Sequence, residues 1–314
     1  MNRTVSKSFV EDIVVRSLLE ELYTTPKPGL VDLNDNGSHN DMNISLFKKS
    51  AKSIAPYISE IYDVSSKWDG SAEELFLIVR KIGVQAECAM FNATYGVNTH
   101  KGSIFTLGLI ACALASVLKD VQNITTKSDV LFSVFDYCKK MTERTLLNEL
   151  NRINKKNAST HGEKIFLQCN ERGVRGQALA GFPIIRDVAF PFFMLCVKNN
   201  MDANFRNVMT LLKSISVLND TNVINRSSYE ELGRLQKDAQ SIILKIERLF
   251  NFSESDVPKW CASKENLSLI GLVESLNEKC IKKNISPGGS ADILSACIFI
   301  HNFFLVLFDN NSLY

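Results

Sequence analysis

Apolar residues return every three or four positions along nearly all of the 314-residue chain, a period that helices satisfy and strands do not. Between Ser6 and Tyr23 they fall at Phe9, Val10, Ile13, Val14, Leu18 and Leu22, on one helical face. Asn43–Tyr62 repeats the pattern through Phe47, Ala51, Ile54, Ile58 and Ile61, with Pro56 expected to bend or interrupt the run. Ser71 and Glu74 have capping-box spacing and open a helix through Phe76, Val79, Ile82, Ala86 and Met90. Further helical runs cover 101–118, 128–148, 174–197, 202–218, 228–250, 264–283 and 290–308. Alternating runs are scarce and no β-α-β rhythm is present. The expected fold is all-α, one compact multi-helix domain over residues 1–314. Two helical lobes meeting near 150–170 are the alternative, because the most polar stretch is Asn148–Lys164.

Gly102–Leu118 carries no charge between Lys101 and Lys119. It reaches only the lower length limit for a membrane span, and its neighbours are amphipathic, so it reads as a buried central helix. Lys plus Arg number 36 against 34 Asp plus Glu, which leaves no broad basic field for nucleic acid or an anionic membrane. Eight cysteines include no C-x-x-C pair, and the first residues lack an apolar leader core. A reducing, cytoplasmic setting is expected.

Glycine and polar residues concentrate in five blocks: Thr24–Asp41, Gly96–Gly102, Gly173–Pro183, Asp220–Asn225 and Ser286–Asp292. Each lies beside or at the start of a helix, where unsatisfied N–H groups and the positive dipole end favour phosphate. Gly96-Val97-Asn98-Thr99-His100-Lys101-Gly102-Ser103 fails as a P-loop, since the lysine precedes its glycine and no strand comes before. Asn98 or Thr99 can cap the next helix, which puts the cations His100 and Lys101 where an anion would neutralise them. In Ser286–Asp292, Gly288 and Gly289 allow close backbone approach, Ser290 is an N-cap candidate and Asp292 falls in the first turn; a purely structural cap reads equally well.

Arg175, between Gly173 and Gly176, offers a planar fork for phosphate or carboxylate. Asn222 and Arg226 accompany Asp220, Lys27 and Asp32 flank a Pro-Gly turn, and His39 and Asp41 share a polar loop. Most such loops are merely solvated. The four histidines lack transition-metal spacing. Carboxylates in these blocks, with Glu87 upstream, suit Mg²⁺ shared with phosphates. No nucleophile-elbow signature occurs.

TTPKPGLVD (24–32), GSHNDM (37–42), GVNTHKGSIF (96–105), GVRGQALAGFP (173–183), DTNV (220–223) and NISPGGSADIL (284–294) occur in that order. Together they resemble the triphosphoribosyl-dephospho-CoA synthase family over roughly residues 8 to 305. That resemblance implies an all-helical enzyme that joins ATP to 3′-dephospho-CoA, releases adenine and supplies the prosthetic-group precursor of citrate lyase; a sister group serves malonate decarboxylase. It implies inversion at the ribose C1 of ATP, a single displacement that needs no covalent nucleophile.

On this resemblance Lys27, Asn98, Thr99, His100, Lys101, Gly102, Arg175, Asn222, Arg226, Gly288, Gly289 and Ser290 are assigned to phosphate or nucleotide contacts. Asp32, Glu87, Asp220 and Asp292 are assigned to Mg²⁺ ligation or acid–base work, with His39 and Asp41 in reserve for proton transfer. The implied downstream partners are a holo-acyl-carrier-protein synthase or transferase and the lyase acyl-carrier protein. Two positions depart from the family pattern: Gln177 stands where an acidic residue is usual, and Asn225-Arg226-Ser227-Ser228 lacks the usual glycines. Gln177 keeps open a non-catalytic nucleotide- or CoA-binding module; a nucleotide hydrolase using water as acceptor is the third alternative.

Overall fold

A computed structural model describes residues 5–120, 126–250 and 264–309. Among them the chain forms thirteen α-helices and one π-helical turn, with no strand. In order these are α1 (Lys7–Tyr23), α2 (Ile44–Ser66), α3 (Ala72–Ala93), α4 (Lys101–Asp120), α5 (Lys127–Arg152), α6 (His161–Cys169) and α7 (Gly173–Leu179). After the π turn at Ile184–Ala189 follow α8 (Phe190–Lys198), α9 (Ala203–Ile215), α10 (Thr221–Arg226), α11 (Tyr229–Phe250), α12 (Lys264–Lys282) and α13 (Gly288–Asp309).

Local chemistry starts most of these helices where the sequence marks them. Ser71 and Glu74 close the expected capping box of α3, and Thr160 with Glu163 forms a second one on α6. The Asn43 side chain accepts from two N–H groups at the start of α2, and Asp202 caps α9. Pro56 does not interrupt α2, which runs through it from Ile44 to Ser66. The buried Ile54, Ala55, Ile58 and Ile61 on either side hold that helix in the core, so tertiary burial outweighs the missing N–H.

The expected run at 174–197 is not one helix. It breaks after Leu179, and its two arms bend by 76°. Gly181 has φ +69° and Phe182 φ +49°, and a Cβ at residue 181 would press 2.8 Å from the Phe135 carbonyl oxygen. Glycine is therefore needed at the corner, and Pro183 follows it. Both flanks are apolar, which is why periodicity alone reads straight across the break.

α4 is buried on every side: Leu107, Ile110, Ala111, Cys112 and Ala113 are fully covered by α2, α3, α5 and α13. By length and composition α4 and α13 could each cross a membrane, as could the bent α7–α8 pair taken as one span. In the fold, one continuous hydrophobic core from Val5 to Leu307 includes residues on both sides of 150–170. Cys112, Cys138, Cys196, Cys280 and Cys297 are buried free thiols, and Cys88 and Cys169 are exposed. Cys261 lies outside the described residues.

Candidate functional site

The first turn of α4 meets the first two turns of α13 so closely that a Cβ on Gly102 would collide with the Asp292 carboxylate. The next residue, Ser103, donates its hydroxyl to Asp292 Oδ1 at 2.5 Å. α13 begins at Gly288, so Ser290 lies inside the helix instead of capping it, and Asp292 falls in the second turn. The Ser290 N–H, still without an intrahelical i−4 partner, donates to Asp220 Oδ2 at 3.0 Å. Asp220 also caps α10 by accepting from Asn222 N–H at 3.0 Å. Gly289 packs closely beside it: a Cβ there would lie 3.1 Å from both Asp220 carboxylate oxygens. Three blocks far apart in sequence, at 102–103, 220–222 and 288–292, thus converge on buried Asp220 and half-buried Asp292.

Their electrostatics differ. Burial is the main influence on Asp292, and the nearby charges of Asp220 and Glu21 add to it, pushing its carboxyl up to about 7 against the pull of Ser103. Burial raises Asp220 too, but N–H groups from Asn222 and Ser290 favour its anion. Asp292 therefore titrates close to neutrality.

Both carboxylates face a cleft of about 700 Å³ between α3, α4, α5, α6, α7, α10 and α13. Glu87, Asn98, Lys101, Gly102, Arg175, Asn222 and Gly289 line it as well. Asn98 accepts from Lys101 N–H at 3.2 Å, and Lys101 pairs with Glu87 at 2.8 Å. Arg175 pairs with Glu163 at 3.3 Å. Gln177 is on the wall too, and its side-chain oxygen accepts from Ile184 N–H at 3.3 Å.

The other expected residues stand behind the wall. Lys27 points inward and donates to Glu21 Oε1 at 2.6 Å, with both side chains almost fully buried. Asp32 organises its own loop, accepting from the N–H groups of Lys27, Asn34 and Asp35. His100 is buried; Thr99 donates to Ser50, and the Ser50 hydroxyl shares a hydrogen bond with His100 Nδ1 at 2.6 Å. Burial with the Lys27 charge drops the imidazole to about 3. A neutral His100 is no phosphate-binding cation.

Arg226 clips two loops together through the carbonyls of Ser38 and Asn284 and the Asn284 side chain. His39 Nε2 bonds to Ser286 at 2.8 Å, and Asp41 lies 3.8 Å from its other nitrogen. Gly288 lies against Asn222. These groups buckle the 24–41 loop onto the 284–288 turn that launches α13. Among the described residues no three His, Cys, Asp or Glu side chains gather into a metal cage, so Asp32, Glu87, Asp220 and Asp292 are not one ligand set.

Arg80, Arg172, Thr160, His161 and Glu163 also line the cleft and were not among the expected site residues. Arg80 and Glu163 occupy ordinary positions of amphipathic helices. The capping-box spacing of Thr160 and Glu163 was the one available signal.

The chain matches the CitG family model, described as ATP:dephospho-CoA triphosphoribosyl transferase, over residues 7–306. A probable 2-(5″-triphosphoribosyl)-3′-dephosphocoenzyme-A synthase of Streptococcus mutans is 34% identical over 91% of this chain and 93% of its own length. The synthase of that name from Escherichia fergusonii is 31% identical over 94% of this chain and 90% of its own. Protein CitXG of Leuconostoc mesenteroides is 34% identical over 94% of this chain but only 59% of that longer protein. No solved structure matches. With its converging blocks and a match over almost its full length, the chain belongs to the ATP:dephospho-CoA triphosphoribosyl transferase family.

Proposed function

We propose that this protein transfers the triphosphoribosyl group of ATP to the 2′-hydroxyl of 3′-dephospho-CoA with release of adenine. In this reading the product is the prosthetic-group precursor for the citrate lyase acyl-carrier protein, passed on by a holo-acyl-carrier-protein synthase. The observation that carries the reading is the pairing of buried Asp220 with half-buried Asp292 at the junction of α4, α10 and α13.

Departure of adenine breaks the C1–N bond and leaves its electron pair on the base, which must gain a proton. Asp292, titrating near neutrality, supplies it. The acceptor oxygen forms the new bond to C1 and loses its proton to Asp220. Two carboxyl groups and no covalent nucleophile suit a single inverting displacement, with negative charge close to the oxocarbenium-like transition state. Lys101 and Arg175, the cleft-facing cations of the expected set, hold the triphosphate. The donor set fits a phosphate-borne Mg²⁺ better than a caged one: Glu87 lines the cleft beside Lys101 and would contribute the single carboxylate such an ion needs. That ion would neutralise the triphosphate.

Incubation with ATP, Mg²⁺ and dephospho-CoA, followed by mass analysis, tests the reading. The transferase gives adenine and the coupled product together. Adenine with free triphosphoribose would mean hydrolysis, and neither product would mean a binding module.

A further inference from the structure

The cleft wall is chemically divided. Its lining combines a polar end, with Asp220, Asp292, Asn222, Lys101 and Arg175, and an apolar set from α3, α4 and α5 that includes Phe76, Val79, Leu109, Leu146 and Leu150. Helix geometry separates the two ends. Glu87, which pairs with Lys101, stands eleven residues from Phe76 along α3, about 16 Å at the rise of an α-helix. Leu109 stands seven residues beyond Gly102 on α4, about 10 Å by the same rise.

Gly83 lies on the cleft wall in the middle of α3. Glycine inside a helix is destabilising relative to alanine, and nothing in the surrounding structure demands one here. Its φ is not positive, and a Cβ built on it meets no atom within 4 Å. The missing side chain leaves room in the cleft and relieves no clash.

We propose that this apolar arm binds the pantetheine chain of dephospho-CoA and that Gly83 keeps it open. The inference rests on the transferase reading above. The two substrates place different demands on the far end of the cleft. The adenine of ATP departs from the very carbon under attack, so it lies beside the carboxylates and cannot reach an arm this distant. Dephospho-CoA reacts through a ribose hydroxyl, while its pantetheine continues from the far side of the diphosphate. That chain carries geminal methyls and methylenes suited to phenylalanine and leucine walls, with only a few amide groups to satisfy. Arg80, on the same wall and ion-paired with Glu149, offers donors to an amide carbonyl.

The test is equilibrium binding of dephospho-CoA and of ADP to the intact protein by calorimetry. ADP keeps the ribose hydroxyls and the diphosphate but lacks pantetheine. The wild type is expected to bind dephospho-CoA about tenfold or more tighter than ADP, the extra affinity coming from buried apolar surface. Gly83→Leu, a better helix former that extends into open space, is expected to erase that difference and leave ADP and ATP affinity within about twofold. Gly233→Leu, on α11 outside the cleft and equally free of neighbours, is expected to behave as wild type. Equal wild-type affinity for the two ligands, or tight dephospho-CoA binding by Gly83→Leu, overturns the proposal. A Gly83→Leu protein that loses ATP and ADP as well also overturns it, because the arm would then serve the nucleotide. Binding is read without turnover, so a failed transferase assay and a failed arm assignment remain separate results.

Discussion

Asp292 combines two properties that pull against each other. Its folded carboxyl is pushed up to about 7 from an ordinary 3.8, so the folded state binds this proton more tightly than the unfolded chain does. The associated stability is complete below about pH 4 and is lost as pH rises through about 7. Asp292→Asn removes the charge while keeping an acceptor for Ser103. At pH 8 its melting temperature is expected to rise by several degrees, with the gain vanishing near pH 4. Melting curves across that range check it; a destabilised variant at pH 8 would show that the charged carboxylate is well solvated.

Gly102 offers a complementary prediction. Gly102→Ala drives a methyl into the Asp292 carboxylate, so turnover is expected to fall by about a hundredfold, with about 1–3 kcal/mol lost in a denaturant titration. Lys101→Ala should reduce turnover and leave the melting temperature within a degree or two, because the Lys101–Glu87 pair is half in solvent. Wild-type turnover in Lys101→Ala would remove that lysine from the triphosphate site. At this scale the sequence located the right blocks without the direction of their side chains. Lys27 and His100 stand beside glycine turns, as phosphate-binding cations often do, yet one meets Glu21 and the other meets Ser50. Spacing along the chain contains no information about partners that arrive from another helix.

Among the elements, α6 is the least embedded part of the cleft wall. Its only buried residue is Ile165, and Glu163 ties its N-terminus down. Glu163 Oε2 accepts from the N–H groups of Ser159 and Thr160, each at 3.0 Å, while Oε1 reaches Arg175. Those bonds, the Thr160 N–H foremost, hold its carboxyl down to about 2, so the clasp persists above pH 4.5 and weakens as pH falls toward 2. Glu163→Ala is expected to speed amide exchange at residues 160–166 by about tenfold, as loss of a cap should, and to leave exchange in α4 unchanged. Unchanged exchange in α6 would show that Ile165 and Phe166 hold the helix unaided.

Most element boundaries were legible because caps and apolar periodicity act locally. The corner at Gly181 was not, since its cause is the Phe135 carbonyl on another helix. Pro56 misled in the opposite sense: its local penalty is real, but the buried faces on both sides of it decide the outcome.

For the whole molecule, an excess of two positive charges hides a cleft whose lining includes Arg80, Lys101, Arg172 and Arg175 together with the Asp220 and Asp292 carboxylates. Bulk composition excludes broad polyanion binding and is silent about such local convergence. The central claim is that the Asp292 proton drives adenine departure. Adenine release by Asp292→Asn, measured beside the equilibrium affinity of the same protein for ATP, tests it most directly. Release is expected to slow by about a hundredfold or more, with ATP affinity kept within a few-fold. Wild-type release from Asp292→Asn would contradict it.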